Sequence, residues 1–192
     1  MKEDDYTPTD IAAIIKRAKE GDREAFSLLY NLYYTPVYRY IYIRIGKNSQ
    51  DSAEDITQDV FLKVYTSFTN YSYTGKSPLA YIYTIARNTL IDRGRKKKIQ
   101  FAELDPEDNT IEQIPDMADN PSEQYIKKEE SQDLRARICL LSPDQQDVVT
   151  LKFIDGLETK EIAETLGKSE EAVRQLQSKG LRALRNILNN HD

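Results

Sequence analysis

The stretch that decides the fold is TKEIAETLGKSEEAVRQLQSKGLRALR, Thr159 to Arg185. Thr159 is placed to cap a short helix whose Ile162, Ala163 and Leu166 share one face. Gly167 supplies the turn, at a point where a β-carbon would obstruct the chain. Ser169 then restarts a helix in which Val173, Leu176, Leu181, Leu184 and Leu188 recur at helical spacing, leaving Arg174, Gln175, Ser178, Arg182 and Arg185 on its outer faces. This is the arithmetic of a helix-turn-helix. A guanidinium pairs with guanine O6 and N7, and a carboxamide with adenine N6 and N7, so the outward set suits the major groove of DNA. An ordinary amphipathic surface helix would show the same spacing, and the pattern alone is only moderately specific. Glu170 and Glu171 suit the positive start of the second helix but stand where phosphates would approach. Gly180 costs about 1 kcal/mol in a helix relative to Ala, and marks an expected close crossing with another helix.

Outward from this motif, the chain of 192 residues is 39% hydrophobic and 31% charged, which fits one domain or two small ones rather than a disordered polymer. No stretch reaches the roughly 20 apolar residues of a membrane span. The polar start MKEDDYTPTD lacks the apolar core of a signal peptide, so no membrane insertion and a cytoplasmic location are expected. The lone Cys139 excludes an internal disulfide, and one histidine, His191, leaves no zinc-ligand cluster. Cys139 lies among Ile138, Leu140 and Leu141 and reads as a buried thiol.

A net charge of −5 conceals a strong segregation. Arg87, Arg93, Arg95, Lys96, Lys97 and Lys98 face only Asp92, and the last helix carries a second basic group. Between them Glu103, Asp105, Glu107, Asp108, Glu112, Asp116, Asp119 and Glu123 run without a Lys or Arg, interrupted by Pro106, Pro115 and Pro121. Such a segment neither holds a helix nor buries a core. The organisation expected is a helical domain over 1–98, a flexible acidic linker over 99–122 and a second helical domain over 123–192.

The first domain reads as helix almost throughout. Asp10 is placed to cap a helix to Lys19, Gly21-Asp22 breaks it, and Phe26, Leu29, Tyr30, Tyr33 and Val37 resume the period, with Pro36 expected to kink or interrupt. A third helix buries Ala53, Ile56, Val60, Phe61, Val64 and Phe68. A fourth, from about Pro78 to Lys97, stripes Ile82, Ile85, Ala86 and Leu90. No period-two strand emerges, so the fold class is all-α.

Three features of this bundle bear on function. Asp55, Gln58 and Asp59 lie within one turn of each other, and from spacing alone a solvated acidic face is the simpler reading than a grip on a basic protein. The tyrosine-rich loop Phe68 to Lys76, with Asn70, Tyr71 and Tyr73, suits stacking on unpaired bases as well as it suits half-buried packing. The six cations between Arg87 and Lys98 exceed what a helix C-terminus requires, and phosphate binding accounts for them better.

Taken in order, these segments resemble a bacterial sigma factor of the extracytoplasmic-function group, over nearly the whole of Asp22 to Leu188. Ala53-Glu54-Asp55-Ile56-Thr57-Gln58-Asp59-Val60-Phe61-Leu62 resembles the polymerase-binding helix of region two. Ile85-Ala86-Arg87-Asn88-Thr89-Leu90-Ile91-Asp92 is similar to the helix that reads the minus-ten element. Leu141-Ser142-Pro143, Gly156-Leu157, Glu161-Ile162-Ala163 and Leu166-Gly167 resemble region four, which reads the minus-thirty-five element.

The resemblance implies core RNA polymerase and promoter DNA as partners, and an anti-sigma factor as a third. It assigns Asp55, Gln58, Asp59 and Phe61 to the polymerase. Arg87 and Asn88 fall to the minus-ten strand, with Arg93, Arg95 and Lys96 beside them on phosphates, and residues 70 to 76, including Lys76, to an extruded base. Lys160, Ser169, Arg174, Gln175, Ser178 and Lys179 fall to the upstream duplex. The acidic linker would thread a basic polymerase channel as a nucleic-acid mimic. Tyr81 stands where the family commonly has Trp, and Pro78 where an aromatic is frequent, so the shape of the minus-ten pocket does not carry over.

The expected function is recruitment of core polymerase to promoters with assistance in opening the minus-ten region, without catalysis and without a cofactor or metal. A polymerase-independent helix-turn-helix regulator is the alternative. An enzyme using Asp55 and Asp59 with a divalent metal finds no further encouragement in the sequence.

Overall fold

The computed structural model describes residues 6–45, 52–73, 78–103 and 134–189, and within them every regular element is helical. The all-α expectation holds. In chain order the helices are α1 (Pro8–Lys19), α2 (Arg23–Arg44), α3 (Ala53–Ser67) with a 3₁₀ turn at Phe68–Asn70, α4 (Leu79–Glu103), α5 (Pro143–Val149), α6 (Thr159–Leu166) and α7 (Glu170–Asn189). A short helical stretch at 134–138 precedes α5, and a π-turn at Thr150–Ile154 follows it.

The ends of these helices follow from local chemistry, not always at the residue expected. Thr7, not Asp10, caps α1: its hydroxyl accepts the Asp10 N–H at 3.2 Å while the Asp10 carboxylate accepts the Thr7 N–H at 2.9 Å, with Pro8 in the first turn. At α6 the cap is Glu158, whose N–H donates to the Glu161 carboxylate at 2.8 Å, and Thr159 is the first helical residue. Asp22 caps α2 and Ser52 caps α3 through their side-chain oxygens. Gly167 adopts φ 62°, the left-handed conformation that ends α6, and Ser169 Oγ accepts the Ala172 N–H at 3.2 Å to begin α7.

Pro36 lies inside α2 and does not end it. Leu29, Leu32 and Tyr33 before the proline and Val37, Tyr40 and Ile41 after it are all buried. At about 1.5–3 kcal/mol per large apolar side chain, that burial outweighs the roughly 3 kcal/mol an interior proline costs. Helices α1 to α4 pack as a bundle around Ile15, Tyr33, Val37, Ile56, Val60 and Ile82. α4 extends through the lysines to Glu103, past the expected boundary near residue 98.

In the second unit α5, the π-turn, α6 and α7 close around Val148, Leu151, Ile162 and Val173. Gly180 of α7 makes the expected close crossing: a β-carbon there would lie 3.0 Å from Val149 Cγ2. Leu181 and Leu188, expected on the inner stripe, are exposed, because α7 crosses α5 at Gly180 and its apolar face continues beyond the helices that cover it. The buried side chains of the two units form one continuous cluster, with α6 against α4 and the π-turn against α2.

Candidate nucleic-acid interface

Helix α7 carries Arg174, Gln175, Ser178 and Lys179 on exposed positions, and Lys160 and Ser169 are also exposed. Arg174 is held by its own helix, its guanidinium 3.0 Å from Glu170 and 3.7 Å from Glu171, while Gln175 donates to Glu171 at 3.4 Å. Ion pairs of this exposed, one-turn kind contribute only a few tenths of a kcal/mol, so a phosphate or a base edge displaces them readily. The two glutamates thus hold the Arg174 and Gln175 side chains against their own helix.

On α4 the sequence-predicted residues divide. Asn88 and Arg95 are exposed. Arg93 pairs with Asp59 of α3, joining a residue expected on DNA to one expected on polymerase. Arg87 is turned inward: its Nε donates to Asp147 Oδ2 at 3.1 Å and its Nη2 to Asp144 Oδ1 at 3.2 Å. Lys96 lies on α4, and only its backbone is described; Lys76 and linker residues 104–133 lie outside the described residues.

The tyrosine loop is packed where it is described. Tyr71 places its ring between Phe68 and Tyr81, at centroid distances of 5.4 and 4.6 Å, and its carbonyl accepts from Lys19 Nζ at 2.8 Å. Tyr73 donates its hydroxyl proton to the Pro8 carbonyl at 3.2 Å, and Tyr81 shares a 2.7 Å hydrogen bond with Ser67. Asn70 is exposed at the tip. The half-buried reading holds for Tyr71 and Tyr73, with rings braced against α1, α3 and α4.

On α3, Asp55, Gln58 and Asp59 are exposed, whereas Phe61 is only 4% exposed and its ring lies 4.7 Å from that of Tyr30. Phe61 therefore supports this face from beneath. The apolar groups that stand out from the helix are Leu62, 63% exposed, and Tyr65. The spacing had a signal for them, since Leu62 falls one turn after Gln58 and off the Ile56-Val60-Val64 stripe.

A second set escaped the sequence reading altogether. Asp147 accepts from the Tyr40 hydroxyl at 2.8 Å, lies 2.8 Å from Arg44 Nε and takes the Arg87 bond, with its side chain 1% exposed. Arg44 also donates to Gln146 Oε1 at 2.7 Å. Asp155, its side chain fully covered, pairs with Arg39, which also donates to the Ile154 carbonyl at 3.3 Å. Burial pushes the Asp155 carboxyl above the usual range, and the Tyr40 hydroxyl is raised well above its own by burial and the Asp147 charge. The Lys168 hydrogen bond, with help from Arg87, holds the Asp144 carboxyl below the usual range despite partial burial.

Among the described residues no group of His, Cys, Asp and Glu is arranged to hold a metal ion, and no helix is long and apolar enough to cross a membrane. The chain matches the Sigma-70 region 2 family over residues 29–99 and the Sigma-70, region 4 family over residues 140–186. It is 31% identical over 179 residues to the ECF RNA polymerase sigma factor SigW of Bacillus subtilis, across 91% of this chain and 94% of SigW. The chain belongs to the ECF RNA polymerase sigma factor family.

This sigma factor is also 32% identical over 187 residues to the ECF RNA polymerase sigma factor BldN of Streptomyces coelicolor, covering 91% of this chain and 64% of BldN's length. Its fold is shared with the sigma factor RpoE, solved in complex with the anti-sigma factor NepR from Bartonella quintana, at a TM-score of 0.69 and 21% identity over 85% of this chain and 96% of that one. Region 2 spans most of α2 to α4, and region 4 holds α5 to most of α7. The family favours the sigma reading over that of a polymerase-independent regulator.

Proposed function

We propose that this sigma factor binds core RNA polymerase through α3, carries it to promoters through α7 and assists opening of the minus-ten region through α4 and the tyrosine loop, performing no chemistry itself and working where polymerase works, in the cytoplasm. The observation that carries the reading is the pairing, in one chain, of two exposed surfaces of opposite chemistry. α7 offers Arg174, Gln175, Ser178 and Lys179, which suit base edges and phosphates. α3 offers Asp55, Gln58 and Leu62, an acidic rim around an apolar anchor that suits a protein partner.

With a net charge of −5 the free chain has little nonspecific attraction for DNA. Polymerase supplies the remedy by holding both readers at a fixed spacing, which raises the effective concentration of the second contact once the first is made. Capture of an extruded base near Asn70 would offset the few kcal/mol lost in unstacking it. The residues proposed for the minus-ten region are Asn70, Tyr71, Tyr73, Lys76, Arg87, Asn88, Arg93, Arg95 and Lys96. For the upstream element they are Lys160, Ser169, Arg174, Gln175, Ser178 and Lys179, and for the polymerase Asp55, Gln58, Asp59 and Leu62 over a supporting Phe61. An anti-sigma factor is proposed as a further partner, by analogy with the NepR complex of RpoE.

Size-exclusion co-elution with a bacterial core polymerase tests the polymerase arm. A stoichiometric complex formed by the full chain supports it, and separate elution of the two at micromolar concentration contradicts it.

A further inference from the structure

We propose that region 4 of this sigma factor serves as an internal cover for its own minus-ten reader, latched through Asp147, so that the chain must open before Arg87 meets DNA. The inference rests on the assignment of Arg87 to the minus-ten strand. Arg87 already has two carboxylates in hydrogen-bond range, Asp147 and Asp144, both on α5. Carboxylate and phosphate oxygens are interchangeable acceptors for a guanidinium, so α5 occupies the guanidinium that a nucleic-acid phosphate would use. The two engagements exclude each other.

The latch is built into both units. Asp147 gathers Tyr40, Arg44 and Arg87, all from the first unit, around one buried carboxylate. A second contact, Arg39 with Asp155, lies where the π-turn brings the chain against α2. Arg135 donates to the Tyr42 carbonyl at 2.9 Å and lays its guanidinium 3.6 Å over the Tyr42 ring, and Cys139 Sγ donates to the Ile43 carbonyl at 3.3 Å.

Two properties make this contact a cover rather than a permanent interface. It is selective, because Arg87 is masked while the α7 reader and the acidic face of α3 stay exposed, leaving polymerase and the upstream element free to engage first. It also depends on buried charge. Desolvation offsets much of the attraction within such a network, so the charged part of the contact holds one arrangement specifically while contributing little net stability, and a partner that binds the open arrangement better shifts the chain towards it.

Cys139 provides the reporter, being the only cysteine in the chain and half-buried at this contact. The experiment compares maleimide labelling of Cys139 in the wild type, in Asp147→Asn and in Arg39→Ala, whose side chain is 43% exposed and whose loss leaves both cores intact. Helix content by circular dichroism confirms folding of each. Binding of a random-sequence single-stranded DNA pool is measured in parallel, with Asp92→Asn as a control of equal charge change on the exposed side of α4.

Labelling faster by about tenfold in the folded variants is expected, because opening would then be correspondingly more populated. Tighter DNA binding by Asp147→Asn than by Asp92→Asn is expected with it. Unchanged labelling in Arg39→Ala and in any folded Asp147→Asn would overturn the latch. Faster labelling without tighter DNA binding would instead overturn the assignment of Arg87, and with it the covering role.

Discussion

Arg87 and Asp147 face each other at 3.1 Å, one from the helix that resembles the minus-ten reader, the other from the first helix of the region that carries the upstream reader. The two DNA-reading regions of this sigma factor are therefore joined by a contact between charged groups as well as by the linker. Desolvation costs differ sharply between its members. The Arg87 side chain keeps 20% of its exposure whereas that of Asp147 keeps 1%, so the carboxylate is the partner that cannot be left alone.

The close crossing at Gly180 predicts a loss of stability on adding a single methyl group. Gly180→Ala improves intrinsic helix propensity by about 1 kcal/mol, but its β-carbon would meet Val149 Cγ2 at 3.0 Å, on a β-branched, buried side chain with little freedom to turn away. Overpacking of this kind costs about 1–3 kcal/mol, so a net destabilisation of about 1 kcal/mol is expected in a denaturant titration. The double variant with Val149→Ala should show a nonadditive recovery of part of that loss. Stabilisation by Gly180→Ala alone would show that α7 does not cross α5 this closely.

For the polymerase face, Leu62→Ala is expected to weaken binding of core enzyme by about tenfold, an apolar anchor of its size being worth about 1–2 kcal/mol at a protein contact. Folding stability should change little, because Leu62 is exposed. Gln58→Ala with Asp59→Ala should weaken the same binding while leaving upstream duplex contacts intact. Phe61→Ala should act through the fold instead, lowering thermal stability by about 3 kcal/mol or more as the ring is removed from beneath Tyr30 and Tyr34. Fluorescence titration against core polymerase, run beside thermal melts, separates the two kinds of effect.

Arg174→Ala should reduce transcription mainly at promoters that depend on the upstream element, by about tenfold if one good base contact is lost. Glu170→Gln with Glu171→Gln should act in the opposite direction, releasing Arg174 and Gln175 and removing negative charge where phosphates approach. Electrophoretic mobility shifts of the holoenzyme on promoter fragments with and without the upstream element provide the measurement.

Acid sensitivity has a defined sign at Asp144. Its carboxyl is held below the ordinary carboxylate range by the Lys168 hydrogen bond first and by Arg87 in addition, so its stabilising contribution is complete above that range and is lost as pH falls through the folded-state pKa. Asp155 runs the other way, since burial raises its pKa and protonation on acidification relieves the cost of covering an ionised group. Asp144→Asn is thus expected to flatten the fall in stability as pH drops below about 4, measured by urea denaturation, while the wild type retains the slope. An unchanged slope in Asp144→Asn would remove Asp144 from the account.

The helices were legible because their signals are local. The periodic stripe of Val173 and Leu176 and the turn at Gly167 each report on a few neighbouring residues, and each stands as read. Caps were displaced by a few residues where two candidates competed, as between Thr7 and Asp10, since the Thr-Pro-x-Asp pattern lets both take part. Pro36 does not interrupt α2, because the burial that holds this helix together comes from other helices.

The same limit explains what the site reading missed. Asp147 and Arg87 are 60 residues apart, and no spacing rule connects them. Phe61 illustrates the reverse case: its motif position matched the family's polymerase-binding helix, yet burial depends on Tyr30 and Tyr34, which come from another helix.

Run-off transcription with purified bacterial core polymerase, on a library of promoter fragments and with or without this chain, tests the central claim most directly. Initiation at discrete sites only when the chain is present is the result predicted, and alignment of those sites would give both promoter elements. Core polymerase that gains no specific initiation from the folded chain, across cognate and related bacterial enzymes, would contradict it.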